Sequence, residues 1–257
     1  NILGIIIMLD SFQLMFSLLD STIRIATPLI FCAMAGIFSE RSGIIDIGLE
    51  GKMLLSAFVA ATSTFLTGSP ILGLFAAILA SCTASIIHGF ACITNKGDQV
   101  ISGLAINILA SGLTITLGIA LFSRGGQTPP LSSEQRFMPI EFPFLDQIEN
   151  IPVLGNVFVE VISGHNILVY FSIFAVFFTY YVIFKTRFGL RLRAVGEKPE
   201  AVDTAGISVI KMRYQSILIA GMLCGLAGAY LSIAHGAGFG RETVSYTHLT
   251  LPTRLMV

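Results

Sequence analysis

A chain of 257 residues with no net formal charge offers no clustered basic face, which argues against a nucleic-acid partner. Its 54% hydrophobic and 12% charged content, with a mean hydropathy of +0.84, lies outside ordinary soluble usage and marks a membrane protein. Trp is absent, so any aromatic belt must draw on six Tyr and 20 Phe.

The opening "NILGIIIML" has no Lys or Arg before Arg24. It lacks the basic region of a signal peptide and reads as the remnant of a truncated N-terminus or as an interfacial segment. A hydrocarbon core of about 30 Å takes roughly 20 apolar residues in a helix. Stretches near 20–38, 44–67, 71–94, 100–122, 166–184 and 214–235 meet that length. No period of two runs through them, so the expected fold is an all-α polytopic transmembrane helix bundle of about six spans, not a β-barrel. Many of the spans are rich in Gly, Ala, Ser and Thr, which let helices approach closely in lipid. Gly221 and Gly225 form a GxxxG extended by Gly228, either a packing face within the chain or a dimer contact. Cys32, Cys82, Cys92 and Cys224 all sit in apolar runs without CxxC spacing and read as small core hydrophobes.

Residues 185–213 hold Lys185, Arg187, Arg191, Arg193, Lys198, Lys211 and Arg213 against Glu197, Glu200 and Asp203. The positive-inside rule makes this connection cytoplasmic. Alternation then puts the turns at Ser39 and Asn95 inside, and the turn at Thr67 and the loop 124–165 outside. That outer loop has Arg124 and Arg136 against Glu134, Glu141, Asp146, Glu149 and Glu160, and it is broken by Pro129, Pro130, Pro139, Pro143 and Pro152. It either faces an extracytoplasmic partner or is a plain connector.

Catalytic constellations are missing. His88, His165, His235 and His248 lack metalloprotease spacing, and no GxSxG occurs. Gly51-Lys52 imitates the end of a phosphate-binding loop, but Asp46 replaces its first Gly and Met53 its Ser or Thr. No cofactor or metal is expected. His88 reads as a satisfied core histidine, with a proton relay as the sharper alternative.

Three places carry more than hydrophobicity. In "FSERSGIIDIGLEGKM", residues 38–53, Asp46 and Glu50 would be i and i+4 on a helix with Lys52 on another side. Either the charges are solvated at a helix end, or a broken or re-entrant start lets them line a cavity or subunit interface. In "EKPEAVDTAG", Pro199 suits a helix's first turn and Gly206 its end, so a short helix is expected between about Pro199 and Ala205. In the fourth span Asn107, Ser111 and Thr114 share one face, which lines a polar pathway or bonds to a neighbouring helix. Burial cost requires that face to look inward, away from lipid.

Those blocks, with "GDQVISGLAINILASGLT" and "KTRFGLRLRAVGEKPEAVDTAGISVIKMR", resemble the permease subunit of bacterial ABC importers for nucleosides and simple sugars, related to branched-chain amino acid and ribose permeases. The likeness spans residues 18–241, one permease domain within 1–241. It implies a multi-pass subunit of the bacterial inner membrane that is not itself an enzyme. It also implies a second permease subunit, two separate cytoplasmic ABC ATPase subunits, an extracytoplasmic substrate-binding lipoprotein and contact with membrane lipid. Gly196, Glu197, Pro199, Glu200, Ala201, Ala205 and Gly206 match the segment that couples to the ATPase, while Asp46, Glu50, Asn107, Ser111 and Thr114 become candidates for lining the pathway. Departures are Lys198 and Val202, where Asn and Ala are more usual, and Asp46 and Lys52, where Asn and Met are. The last stretch, 242–257, resembles translated vector sequence more than a permease and is expected to be a non-native or disordered tail. The readings from other classes are a secondary carrier, which would need acids in mid-span, and a polytopic membrane enzyme, which would need the missing catalytic set.

Overall fold

The structure, a computed structural model, describes residues 2–140 and 163–240, with side chains from residue 14 onward. Glu141, Asp146, Glu149, Glu160, Pro143, Pro152 and the tail 242–257 therefore lie outside the described residues. Among the described residues eight α-helices follow in order: α1 (Ile2–Arg41), α2 (Leu49–Thr67), α3 (Pro70–Gly89), α4 (Gln99–Phe122), α5 (Ile167–Lys185), α6 (Arg187–Glu197), α7 (Pro199–Thr204) and α8 (Val209–Ala229). Single π-turns, Phe90–Thr94 and Tyr230–His235, extend α3 and α8. Of the described helices five are long and apolar enough to cross a membrane. The second, α2, is not among them. It starts at Leu49, five residues after the expected 44, and lies enclosed by α3, α4 and α8.

Local chemistry sets the boundaries. Gly68 ends α2 in the left-handed conformation at φ +74°, and Pro70 opens α3 where a missing N–H costs nothing. Asp98 caps α4, its Oδ1 accepting from the Val100 and Ile101 amides at 2.8 and 3.1 Å. The first helix reaches back beyond the expected 20 and contains Pro28. Proline lacks the N–H that would bond the Arg24 carbonyl one turn earlier. Tyr230 supplies the missing donor, its hydroxyl 2.9 Å from that oxygen.

Packing is set by small residues. A Cβ on Gly225 would stand 2.7 Å from Ile78 Cα, and one on Gly228 would stand 2.5 Å from the Met53 carbonyl oxygen. The GxxxG face thus seats α8 on α3 and α2 within the chain, in keeping with the van der Waals contact that drives helix association in lipid. Phe31, Met53, Phe58, Ala110, Ala227 and Phe239 form the main core where α1, α2, α4 and α8 meet.

Connections alternate between two ends. At one end lie the α1–α2 link, the turn at Asn95 and α6–α7. At the other, the described part of the loop 124–165 is tied to the end of α8: the Leu131 amide donates to Ala237 and the Phe137 amide to Ile233, at 2.7 and 3.0 Å. Asn166 Nδ2 donates to the Ala234 carbonyl at 2.9 Å. These bonds make residues 127–140 a cap on the bundle. At the same end Arg24 Nε holds both oxygens of Asp20 at 2.9 and 3.0 Å, and His165 Nε2 lies 3.1 Å from Asp20.

Candidate coupling and translocation site

In the charged stretch 38–53 Glu40 and Arg41 are exposed, but Asp46 and Lys52 are not solvated charges at a helix start. Helix α1 stops at Arg41, residues 42–48 form an irregular joint, and α2 begins at Leu49. Gly43, at φ +79°, makes the turn out of α1. Asp46 is therefore off the helix. Its Oδ1 accepts from the Gly48 amide at 3.2 Å and its Oδ2 from Lys52 Nζ, with both side chains fully buried. The expectation that Asp46 and Lys52 would face apart fails because the joint folds Asp46 back over the first turn of α2. His88 is equally buried; its Nδ1 pairs with Ser102 Oγ at 3.0 Å and its Nε2 lies 3.8 Å from Asp46 Oδ1. A partnered core histidine is what the structure contains. Glu50 stands half-buried in the first turn of α2.

The fourth span meets this joint closely. Asn107 accepts from the Gly51 amide at 2.8 Å and donates to the Ile47 carbonyl at 3.2 Å. A Cβ on Gly103 would fall 2.9 Å from the Gly48 nitrogen. The Ile45 amide donates to Gln99 Oε1 at 2.6 Å. Thr114 is buried and returns its hydroxyl to Ala110 and Ser111 of its own helix, at 2.9 and 3.1 Å. Ser111 and Asn107 are half-buried along the edge of that inward face.

The basic connection contains two helices where one was expected. The Arg-rich part is α6, capped by Thr186, whose Oγ1 accepts from the Gly189 amide at 3.2 Å. Its Leu192 and Val195 join Phe38, Ile183, Val202 and Met212 in one apolar cluster. Arg193 lies 5.1 Å above the Phe184 ring. The short helix, Pro199–Thr204, falls where the sequence placed it, with Glu200 in its first turn, where a carboxylate suits the positive end. Of α7 only Val202 is buried; Glu197, Glu200, Ala201, Ala205 and Gly206 are exposed, and Gly196 and Pro199 half-exposed. Gly196 is pressed against the joint: a Cβ there would lie 2.5 Å from the Arg41 carbonyl oxygen. Arg213 Nε donates to the Ser42 carbonyl at 3.3 Å, and Ser216 Oγ to the Phe38 carbonyl. The joint and the basic connection, which meet through residues as far apart as Ser42 and Arg213, form one unit.

Residues 18–247 match the family model described as a branched-chain amino acid transport system permease component. The chain belongs to this permease family. It is 37% identical to the guanosine ABC transporter permease protein NupQ of Bacillus subtilis over 92% of this chain and 73% of that protein. With the nucleoside ABC transporter permease protein NupC of Lactococcus lactis it shares 35% identity over 86% of this chain and 68% of that one. No solved structure matches. The permease is thus a multi-pass inner-membrane component of an ABC transporter, a transport subunit and not an enzyme. Its family implies an ATPase and a substrate-binding partner.

Sequence reasoning placed the short helix α7, and it missed the ion pair. The spacing of Asp46 and Lys52 carries no helical pairing signal, because the backbone between them leaves the helix. It also missed the Asp20–Arg24–His165 group, whose members come from α1 and from the loop before α5.

Proposed function

We propose that this permease carries a nucleoside across the membrane, delivered by an extracytoplasmic binding lipoprotein and driven by a separate ABC ATPase, with a second permease subunit completing the pathway. The observation that carries the substrate class is the two nucleoside-named relatives at 35% identity or above over most of the chain. The exposed α6–α7 surface, set at the basic and therefore cytoplasmic end, supports the ATPase contact. In this reading Gly196, Glu197, Pro199, Glu200, Ala201, Ala205 and Gly206 form the surface the ATPase grips, with Val202 as the buried root of α7. Asn107, Ser111 and Glu50 present the half-buried polar edge of the pathway, and Asp46 and Thr114 support it from behind.

Docking of a rigid helix depends on shape, since exposed ion pairs contribute only about 0–1 kcal/mol each. Ala201→Trp, a bulky change at an exposed α7 position, therefore abolishes stimulated ATP hydrolysis and uptake while the subunit still inserts; Lys198→Asn has a mild effect. The test is uptake of radiolabelled guanosine and ATP hydrolysis by the full-length complex in proteoliposomes, with excess glucose as competitor. Unchanged uptake in Ala201→Trp refutes the coupling assignment. Uptake blocked by glucose and not by other nucleosides refutes the substrate class in favour of simple sugars.

A further inference from the structure

Movement at α7 has to reach α4 if the ATPase is to open a pathway bordered by Asn107 and Ser111. The two are not neighbours. Helix α4 packs chiefly on α2, α3 and the π-turn after α3, whereas α6 packs on α5, α8, α7 and α1. A stretch that touches both sides is the joint, residues 42–48. On one side it meets Gly196 of α6 and Arg213 of α8. On the other it meets Gln99, Gly103 and Asn107 of α4.

We propose that the 42–48 joint is the transmission element between the ATPase-gripped α6–α7 segment and α4, with Gly196 and Gly103 as the positioning residues at its two faces. This rests on the coupling role assigned to α7 above.

Three observations carry it. First, both faces press on the joint's backbone: a Cβ at Gly196 would lie 3.3 Å from the Gly43 nitrogen, next to the Arg41 carbonyl that ends α1, and one at Gly103 would lie 2.9 Å from the Gly48 nitrogen. Contacts this close to backbone leave little slack to absorb a displacement, so a shift of α6 is passed on and not dissipated. Second, the joint is not slack. Asp46 bonds both Gly48 within the joint and Lys52 on α2, and Ile44, fully buried, plugs it between Ile93 and Ile217. Third, the joint bonds α4 at two points about two turns apart, through the Ile45 amide to Gln99 and the Ile47 carbonyl from Asn107. A push at Gly43 is thereby delivered along the part of α4 that carries the polar edge. A coupling path requires a physical element biased by both sites, and contiguity alone does not establish it. The experiment therefore reads motion and work separately.

Two α4-side variants are compared in the complete, full-length complex in nanodiscs and proteoliposomes. Gly103→Ala wedges a methyl group against the Gly48 nitrogen; Gln99→Leu removes one exposed hydrogen bond and leaves packing intact, so it retains the fold if Gly103→Ala does not. A spectroscopic side chain at Ile108, exposed on α4, reports the helix's response to ATP, and one at Lys211 on α8 reports the ATPase side. The expected result is that ATP binding moves the Lys211 label as in the unaltered complex, the Ile108 response shrinks, and nucleoside uptake per ATP hydrolysed falls by about tenfold for Gly103→Ala and severalfold for Gln99→Leu. A merely structural role would lower hydrolysis and uptake together and leave their ratio fixed. A full Ile108 response with unchanged uptake per ATP in both variants overturns the proposal. Failure of the Lys211 label to respond in the unaltered complex instead strikes the α7 coupling assignment on which it rests.

Discussion

Removing the Tyr230 hydroxyl should destabilise the permease through a carbonyl that belongs to another helix. Pro28 leaves the Arg24 oxygen without its helical N–H, and Tyr230, 1% exposed, donates to it at 2.9 Å. Tyr230→Phe keeps the ring and its stack on His235, 5.9 Å between centroids, so packing is preserved and one buried acceptor is left unpaired. An orphaned buried polar group costs about 1–3 kcal/mol. The Arg24 side chain is 37% exposed, so water reaches that neighbourhood and the lower end, about 1 kcal/mol, is expected. Pro28→Ala returns an N–H to the helix and makes the tyrosine's bond redundant. In that background Tyr230→Phe should cost about 0.5 kcal/mol or less. The cycle is measured by reversible denaturant unfolding of the full-length subunit in mixed micelles, followed by circular dichroism. An equal cost of Tyr230→Phe with and without Pro28 would refute the account, because the hydroxyl would then be acting on something other than the proline gap.

Lys52→Met alone strands the Asp46 carboxylate in a buried site and should cost about 3–5 kcal/mol, whereas Lys52→Met with Asp46→Asn should return to near the starting stability, since a matched uncharged pair avoids the desolvation cost; thermal aggregation of the purified subunit separates the two. Gly225→Ala places a methyl group 2.7 Å from Ile78 Cα and should cost about 1–3 kcal/mol, seen as a lower midpoint in the same micelle titration. Gly112→Ala, on the same fold but with nothing within 4 Å of the added carbon, should be neutral or stabilising by up to about 1 kcal/mol. Equal losses at Gly225 and Gly112 would show that close approach is not what the α8 glycines provide.

What the sequence made legible is what depends on composition and local period. The apolar lengths located α3, α4, α5 and α8 to within a few residues, because a membrane span must be continuous to satisfy its own backbone. Pro199 and Gly206 bracketed α7 for the same local reason. Helix α6 was not foreseen, because an Arg-rich run of 11 residues reads as a polar turn until Leu192 and Val195 find Phe38 and Met212 to pack on. The expected span 20–38 already ran through Pro28, but the donor that lets it do so was hidden, since it comes from Tyr230, 202 residues along the chain. The Asp46–Lys52 pair required knowing that the backbone breaks at Arg41.

That break explains why charge is placed in the enclosed end of the bundle at all. A helix running unbroken from α1 into α2 would need no side-chain partners, but residues 42–48 leave amides and carbonyls without helical mates. Four of these find side-chain mates: the Gly48 amide in Asp46, the Ile45 amide in Gln99, the Ile47 carbonyl in Asn107 and the Ser42 carbonyl in Arg213. Left unmet, the buried Gly48 amide would cost about 1–3 kcal/mol. Asp46 brings a charge into the interior to do this, and Lys52 neutralises it. The charged residues, the half-buried asparagine of α4 and the arginine at the start of α8 are consequences of one irregular turn, held where the basic connection presses on it.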